Sequence, residues 1–527
     1  MINDLKAIST NIVSLSTEVC IVGGGTAGIF LAQELDRFGI ETILLESGSE
    51  TISRPPEINE QCFQVGIPYR GAEQGRAFGL GGTSTLWGGQ MIALSPSDFE
   101  KRPNLSLDAW PLNHSDLGYY FEQVRERLEI KKISDEVSFK QKYFPDLFRF
   151  GEEFNLRVAD WIPFKNRNFA QRFDNELESS TKIQVWLNSV VTTFAIDDES
   201  DQKRIDFIEA KSTNSKTLRI KSKYFVICAG ALESTRLVLS LDESSQGLIT
   251  SLKSPVGRYF ADHLSLTGGK IKCRNWNQYN AQIAPVFDGK LMRSPRLELS
   301  STSQQEHNIT SAFVHFTFIT SGNSGFDLIR NLFRKQQGEQ IKYNLASIPL
   351  SQIIQDSFLI ALWRGMYQRL WVPRESDLFL QVDIEQLPNW NSRIFLSDEV
   401  DDFGRKKLVI DWQITPDDIR TFTTTANLAK KAWDSSMLND FADLDLTLNP
   451  DMNNLESVYD VYHPTGSLRM GENPATSVVD SNLKLWTLDN CFISSTAVFP
   501  TAGSANPGFT HLALTMRLAK YLAQKAR

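Results

Sequence analysis

The sequence predicts an α/β chain of two domains, one a parallel sheet wound with helices and the other built on a mainly antiparallel sheet. Three observations carry this. From Glu18 the chain reads EVCIVGGGTAGIFLAQELDRFGIETILLESG, which is strand, glycine turn, helix and second strand. Tyr224 to Cys228, with AGALESTRLVLSL after it, has the same strand, turn and helix order. Between residues 266 and 450 the segments GGKIKCRN, PRLELSS, SAFVHFTFIT, LFLQVDIEQL and SRIFLS alternate apolar and polar residues, the period of half-buried antiparallel strands.

In the first motif Gly23, Gly25 and Gly28 give the GxGxxG spacing. The first glycine permits the turn, the second lets the backbone approach a pyrophosphate, and the third allows close helix packing. Thr26, at the start of the helix, faces the same phosphates. Glu46 ends the second strand eighteen residues beyond Gly28, placed for its carboxylate to accept both ribose hydroxyls. An ordinary strand-to-helix turn does not need glycines, small Ala32, Gly39 and a terminal acid in register, so a Rossmann-like dinucleotide site is expected. The motif does not by itself separate FAD from NAD.

With 527 residues, 41% of them apolar, the chain has material for more than one domain. Its formal charge of -8, from 55 basic and 63 acidic residues, lacks the basic excess that nucleic-acid binding requires. Cys20, Cys62, Cys228, Cys273 and Cys491 are scattered and never in a CxxC pair, which argues against a disulfide framework and a zinc site; no metal is expected. The first residues lack a basic segment followed by an apolar one, and no apolar run has the length of a membrane span, so a cytoplasmic location is expected.

Residues 75 to 90, GRAFGLGGTSTLWGGQ, are too rich in glycine for a helix or strand interior. Interleaved Phe78, Leu80, Leu86 and Trp87 imply burial, so Gly82, Thr83, Ser84, Trp87 and Gly88 are expected to face a ligand, the hydroxyls donating to an anion. Placed after the dinucleotide motif and followed by SPSDFEKRP and DAWPLNHSDLGYYFEQVRERL, this loop resembles the flavin-contacting region of glucose-methanol-choline (GMC) oxidoreductases, above all the pyranose and glycoside oxidase branch. The resemblance implies FAD and the flavin-binding fold of the GMC and p-hydroxybenzoate hydroxylase type. Pyranose oxidases carry a flavin-linked histidine just before the tryptophan of this loop; here Leu86 precedes Trp87, which implies non-covalent FAD.

The C-terminal stretch, VYHPTGSLRMG, VVDSNLKLW, NCFISSTAVFPTAGSANPGFT and the amphipathic HLALTMRLAKYLAQ, resembles the family's signature strip. The matching catalytic positions are His463 and Asn506. Removing a hydroxyl proton while hydride leaves carbon suits an imidazole of near-neutral pKa, and an amide donor can stabilise the developing oxyanion. Thr510 is expected to cap the last helix, with Pro507 and Thr510 directing its positive end toward a flavin. Val191, on a strand expected over Gln184 to Phe194, is assigned to the adenine, and Ala229 to the cofactor at the second glycine turn. His263, in VGRYFADH, is read as structural.

Gln386, Trp390 and Asn391 in QLPNWN combine a stacking ring with amide donors and are expected to meet the substrate, although a polar turn with one buried tryptophan explains them equally well. The helical insertion near 326 to 371 reads first as helices packed on their own domain. A lid, a subunit contact or a membrane-surface patch serving a quinone are its alternatives. The expected FAD-binding domain comprises 1-95, 181-265 and 451-527, and the substrate domain 96-180 and 266-450. The implied activity is FAD-dependent oxidation of a secondary alcohol, on a sugar or glycoside, to a ketone by hydride transfer to flavin N5, with oxygen, a quinone or a carrier protein as acceptor. A non-redox lyase of the same fold, or a silent flavoprotein binding a glycan or partner, are the rival readings.

Overall fold

The strand Ile12–Val22 forms because its apolar second half, Val19 to Val22, is buried on both faces, and it ends where Gly23 turns at φ 111°. A computed structural model describes residues 1–53, 62–197, 203–337, 348–447, 455 and 457–526. In it Ile12–Val22 pairs in parallel with Thr42–Leu45 on one side and with Thr217–Ile227 on the other. Ile183–Leu187 and then Ile2–Asp4 extend the parallel set beyond Thr42–Leu45, and Cys491–Ile493 adds in parallel to the end of Thr217–Ile227. Helices Thr26–Arg37 and Gly508–Ala526 bury their apolar faces in the same core as these strands.

The expected strand from Gln184 to Phe194 is in fact two. Asn188 takes a left-handed φ of 53°, which ends Ile183–Leu187. Val190–Asp197 then leaves the parallel set to pair antiparallel with Arg204–Lys211.

The second sheet runs in the order Ala442–Leu446, His263–Cys273, Asp377–Glu385, Ala312–Ile319, Leu291–Leu299, Phe154–Trp161 and Gln90–Met91, antiparallel throughout. Four of the five alternating segments lie in it. SRIFLS does not: Arg393–Val400 pairs with Lys406–Trp412, which pairs with Cys62–Gly66 in a separate three-stranded sheet. Helix Pro416–Ser435, with a Thr415 and Asp418 capping box, packs Phe422 and Trp433 into the core behind the large sheet.

The insertion forms two helices, Gly325–Gln336 and Leu350–Tyr367, anchored by a small cluster of Phe326, Trp363 and Trp371. The last helix starts at Gly508, and the His511 amide already donates to the Pro507 carbonyl at 2.8 Å. Thr510 is therefore inside the first turn rather than its cap. Its hydroxyl accepts from the Leu94 amide at 3.2 Å.

Candidate active site

Two glycine loops meet at one wall of a cavity of about 580 Å³. The Gly81 amide donates to the Gly24 carbonyl at 2.8 Å, and a Cβ on Gly82 would stand 2.8 Å from the Gly25 Cα, so the second loop has no room for a side chain at Gly82. Gly28 serves the packing beneath: a Cβ on it would lie 1.8 Å from the Gly23 carbonyl oxygen, and it does not line the cavity. Gly23, Gly25, Thr26, Gly82, Thr83, Gly88, Ala229 and Pro507 do line it.

Glu46 reaches the same wall. Its carboxylate accepts from the amides of Gly24 and Gly48, each at 2.8 Å, of Gly79 at 3.1 Å, and from the Ser47 hydroxyl at 3.1 Å. Burial pushes its pKa up, and these donors oppose the shift. Trp87 also lines the cavity. Its indole N–H donates to the Arg167 carbonyl at 2.9 Å, its ring stands edge-on to Phe169, and a Cβ on Gly508 would lie 3.1 Å from it.

In the same cavity lining His463 Nε2 and Asn506 Nδ2 are 3.4 Å apart. The backbone N–H of His463 donates to both carboxylate oxygens of Asp262, at 2.8 and 2.9 Å, which fixes the turn after Tyr462, itself left-handed at φ 66°. The other ring nitrogen, Nδ1, lies 2.9 Å from Nδ1 of His263, whose Nε2 is 3.4 Å from the Ala502 carbonyl. A carbonyl can only accept, so His263 carries its proton on Nε2, accepts on Nδ1 from His463, and leaves the lone pair of His463 on Nε2, beside the Asn506 amide. Burial first, then the His263 ring and the Arg296 guanidinium, lower the His463 pKa to about 3, so the imidazole is neutral.

Asn506 is oriented in turn by Gln90. With the Gln90 amide turned to satisfy both of its ends, its nitrogen donates to Asn506 Oδ1 and its oxygen accepts from Arg296 Nε at 3.1 Å and Nη2 at 2.8 Å. Holding Oδ1 in this way points the Asn506 N–H₂ at His463. Gln90 and Arg296 have no signal in the sequence, and His263 reads there as structural, because their positions depend on strand pairing. The signals at His263 are the resemblance of VGRYFADH to a family element and the adjacency of Asp262 and His263, two polar residues at the start of a buried strand.

Several expected contacts lie elsewhere. Ser84 is buried, donates to the Gly81 carbonyl at 2.6 Å and accepts from the Phe169 amide at 3.0 Å, so it shapes the loop without facing the cavity. Val191 and Thr510 are buried away from it. Gln386 is an internal strut: its amide nitrogen donates to the Gln413 carbonyl at 2.6 Å, and its oxygen accepts from Trp412 Nε1 at 2.9 Å and the Asp262 amide at 3.2 Å. Trp390 is exposed under Arg258, and Asn391 is exposed; none of the three reaches the cavity.

The tight glycine loops, the amide-held carboxylate and the paired imidazole and amide in the same cavity fit FAD, and they define a flavoprotein oxidoreductase. Residues 388–515 match the family model described as GMC oxidoreductase, and residues 16–57 match that of an FAD binding domain. Both matches place the chain's segments among GMC-type flavoproteins, and the chain is an FAD-dependent oxidoreductase. It is 21% identical to the fructose dehydrogenase large subunit of Gluconobacter japonicus, over 96% of this chain and 97% of that one. It is 20% identical to paromamine 6'-oxidase of Streptomyces fradiae, over 96% and 91%. Among solved structures it shares the fold of pyridoxine 4-oxidase from Mesorbium loti, with a TM-score of 0.55, 17% identity and coverage of 96% and 99%. It also shares that of an R554A variant of Aspergillus oryzae RIB40 formate oxidase, with a TM-score of 0.56, 12% identity and coverage of 97% and 98%. Among the described residues no helix is long and apolar enough to cross a membrane.

Proposed function

We propose that the enzyme oxidises a secondary alcohol, on a sugar or glycoside, to a ketone. The observation that carries this reading is the pairing of a neutral His463, its Nε2 lone pair directed into the cavity, with the Asn506 N–H₂ at 3.4 Å. Bound FAD supplies the acceptor for the hydride leaving the carbinol carbon. His463 Nε2 takes the hydroxyl proton, and Asn506 Nδ2 donates to the same oxygen as negative charge builds on it. His263 presents the correct tautomer of His463, and Gln90 the correct face of Asn506. A sugar is favoured because one relative is named for fructose, and the branch that the glycine loop resembles acts on pyranoses and glycosides.

Leu86, before Trp87, supports FAD held without a covalent bond. The chain divides into FAD-binding segments 1-95, 181-265 and 451-527 and substrate segments 96-180 and 266-450, with Gln90 and His263 crossing between the two at the cavity. The five cysteines are all free, which supports a cytoplasmic location.

The test is an anaerobic absorbance titration of the holoenzyme with glycosides, free pyranoses and simple alcohols. Bleaching of the flavin band by a sugar or glycoside, lost in His463→Ala, is the expected result. Bleaching by simple alcohols alone would remove the sugar assignment. Undiminished bleaching in His463→Ala would remove the base, and a band that no alcohol bleaches would overturn the proposal.

A further inference from the structure

We propose that the helix Leu350–Tyr367 is a docking face for an anionic lipid surface. Leu350, Ile354, Phe358 and Met366 are 71, 61, 64 and 68% exposed. Leu350, Ile354 and Phe358, with exposed Ala361, repeat at helical spacing along one side of the helix, a stripe roughly 17 Å long at 1.5 Å per residue, and exposed Met366 follows beyond it. The opposite side is already used, burying Trp363 against Phe326 and Trp371. Of the twenty-one large apolar side chains that are exposed among the described residues, eight fall between Ile319 and Tyr367, so the exposure is a concentration and not scatter.

The stripe carries no charge before Arg364. The one acid of the helix, Asp356, is buried and accepts from the Phe326 amide at 3.2 Å. Exposed Tyr367 and Arg364 stand at one end, the residue types that sit at a membrane interface.

Charge selects the occupant. On the described parts of the two helices the exposed charged side chains, Lys335 and Arg364, are cationic, whereas the acids Asp327 and Asp356 are buried, in a chain of net -8. A second copy of the chain would set these cations against their own kind, whereas an anionic bilayer takes both the apolar stripe and the cations beside it. The helix lies in the interface rather than spanning it, in keeping with its single exposed side. The preceding helix, Gly325–Gln336, ends at the cofactor loop, where Gln337 donates to the carbonyls of Ser84 at 3.2 Å and Trp87 at 2.8 Å. Docking here would therefore hold the cavity close to the membrane surface.

The test is co-sedimentation of the holoenzyme with phosphatidylglycerol-containing vesicles and with vesicles of phosphatidylcholine alone. Binding to the first and not the second is expected, weakened by salt, lost in Ile354→Asp/Phe358→Asp and reduced at least about tenfold in Lys335→Gln/Arg364→Gln. These side chains are exposed, and an unchanged flavin spectrum and circular dichroism check that the variants fold. No binding to either vesicle, or binding that the variants leave intact, overturns the proposal. So does a dimer in light scattering that Phe358→Asp dissociates in a protein that ignores vesicles, which would give the face to a second copy.

Discussion

Acidification should destabilise the wild-type enzyme more than His463→Gln, by an amount the buried imidazole sets. In the folded protein His463 titrates at about 3, against an ordinary 6.5. Its folded pKa lies below its unfolded one, so its contribution is fully present above pH 6.5 and is lost as pH falls from there toward 3. At pH 5 the unfolded chain binds a proton that the folded chain refuses, which costs about 2 kcal/mol, or nearer 1 after allowing for the part of the ring that solvent reaches. Glutamine has no such proton to bind. Urea midpoints of the two proteins, measured at about pH 7.5 and again at about pH 5, give the difference directly. His511, also held low by burial, to about 4, is common to both proteins and cancels. Parallel losses in the two proteins would mean that His463 is solvated or charged in the fold, and the tautomer argument through His263 would fall with it.

Gly28→Ala forces a Cβ to within 1.8 Å of the Gly23 carbonyl, so the turn must move; FAD binding measured by flavin fluorescence should be lost or weakened at least about tenfold, and unchanged affinity would refute the packing role. Gln386→Ala, a strut outside the cavity, should lower stability by about 1–3 kcal/mol through the unpaired Trp412 Nε1 and Asp262 amide. In that variant KM and kcat should hold, and a raised KM would restore Gln386 to the substrate site. Gln90→Ala should slow flavin reduction about tenfold with FAD affinity unchanged, because Asn506 loses the donor that orients it. A rate equal to wild type would show that Asn506 orients itself.

The parts of the fold legible in sequence are those written in consecutive residues. Val19 to Glu46 announces itself because strand, turn and helix are local, and each glycine answers to a contact within that unit. The break at Asn188 was not legible, because a left-handed asparagine between two apolar runs looks like strand until its partners are known. SRIFLS had the right period and the wrong sheet, since alternation reports that a strand is half-buried but not which neighbours pair with it. At the site, His463 and Asn506 stood out through residue type and pattern. Gln386, Trp390 and Asn391 had suitable chemistry in sequence, yet the Asp262 amide and the Trp412 indole claim Gln386, and the turn carries Trp390 and Asn391 outward. His263 and Gln90 gain their significance only from strands that begin far away in the chain.

The parallel sheet is sewn from distant threads. The amino terminus donates to the Leu177 and Ile183 carbonyls, and Cys491–Ile493 closes against Phe225 to Ile227. Vectorial synthesis therefore cannot complete the cofactor pocket until residues 491 to 507 have been made. Asn506 and Pro507 leave the ribosome some 480 residues after the glycines they face, and a nascent chain must keep an unfinished sheet edge shielded for that interval. Truncation shortly before the last helix leaves a long polypeptide with a half-built nucleotide fold, which makes the segment from Cys491 to Pro507 the step that commits the enzyme to its flavin.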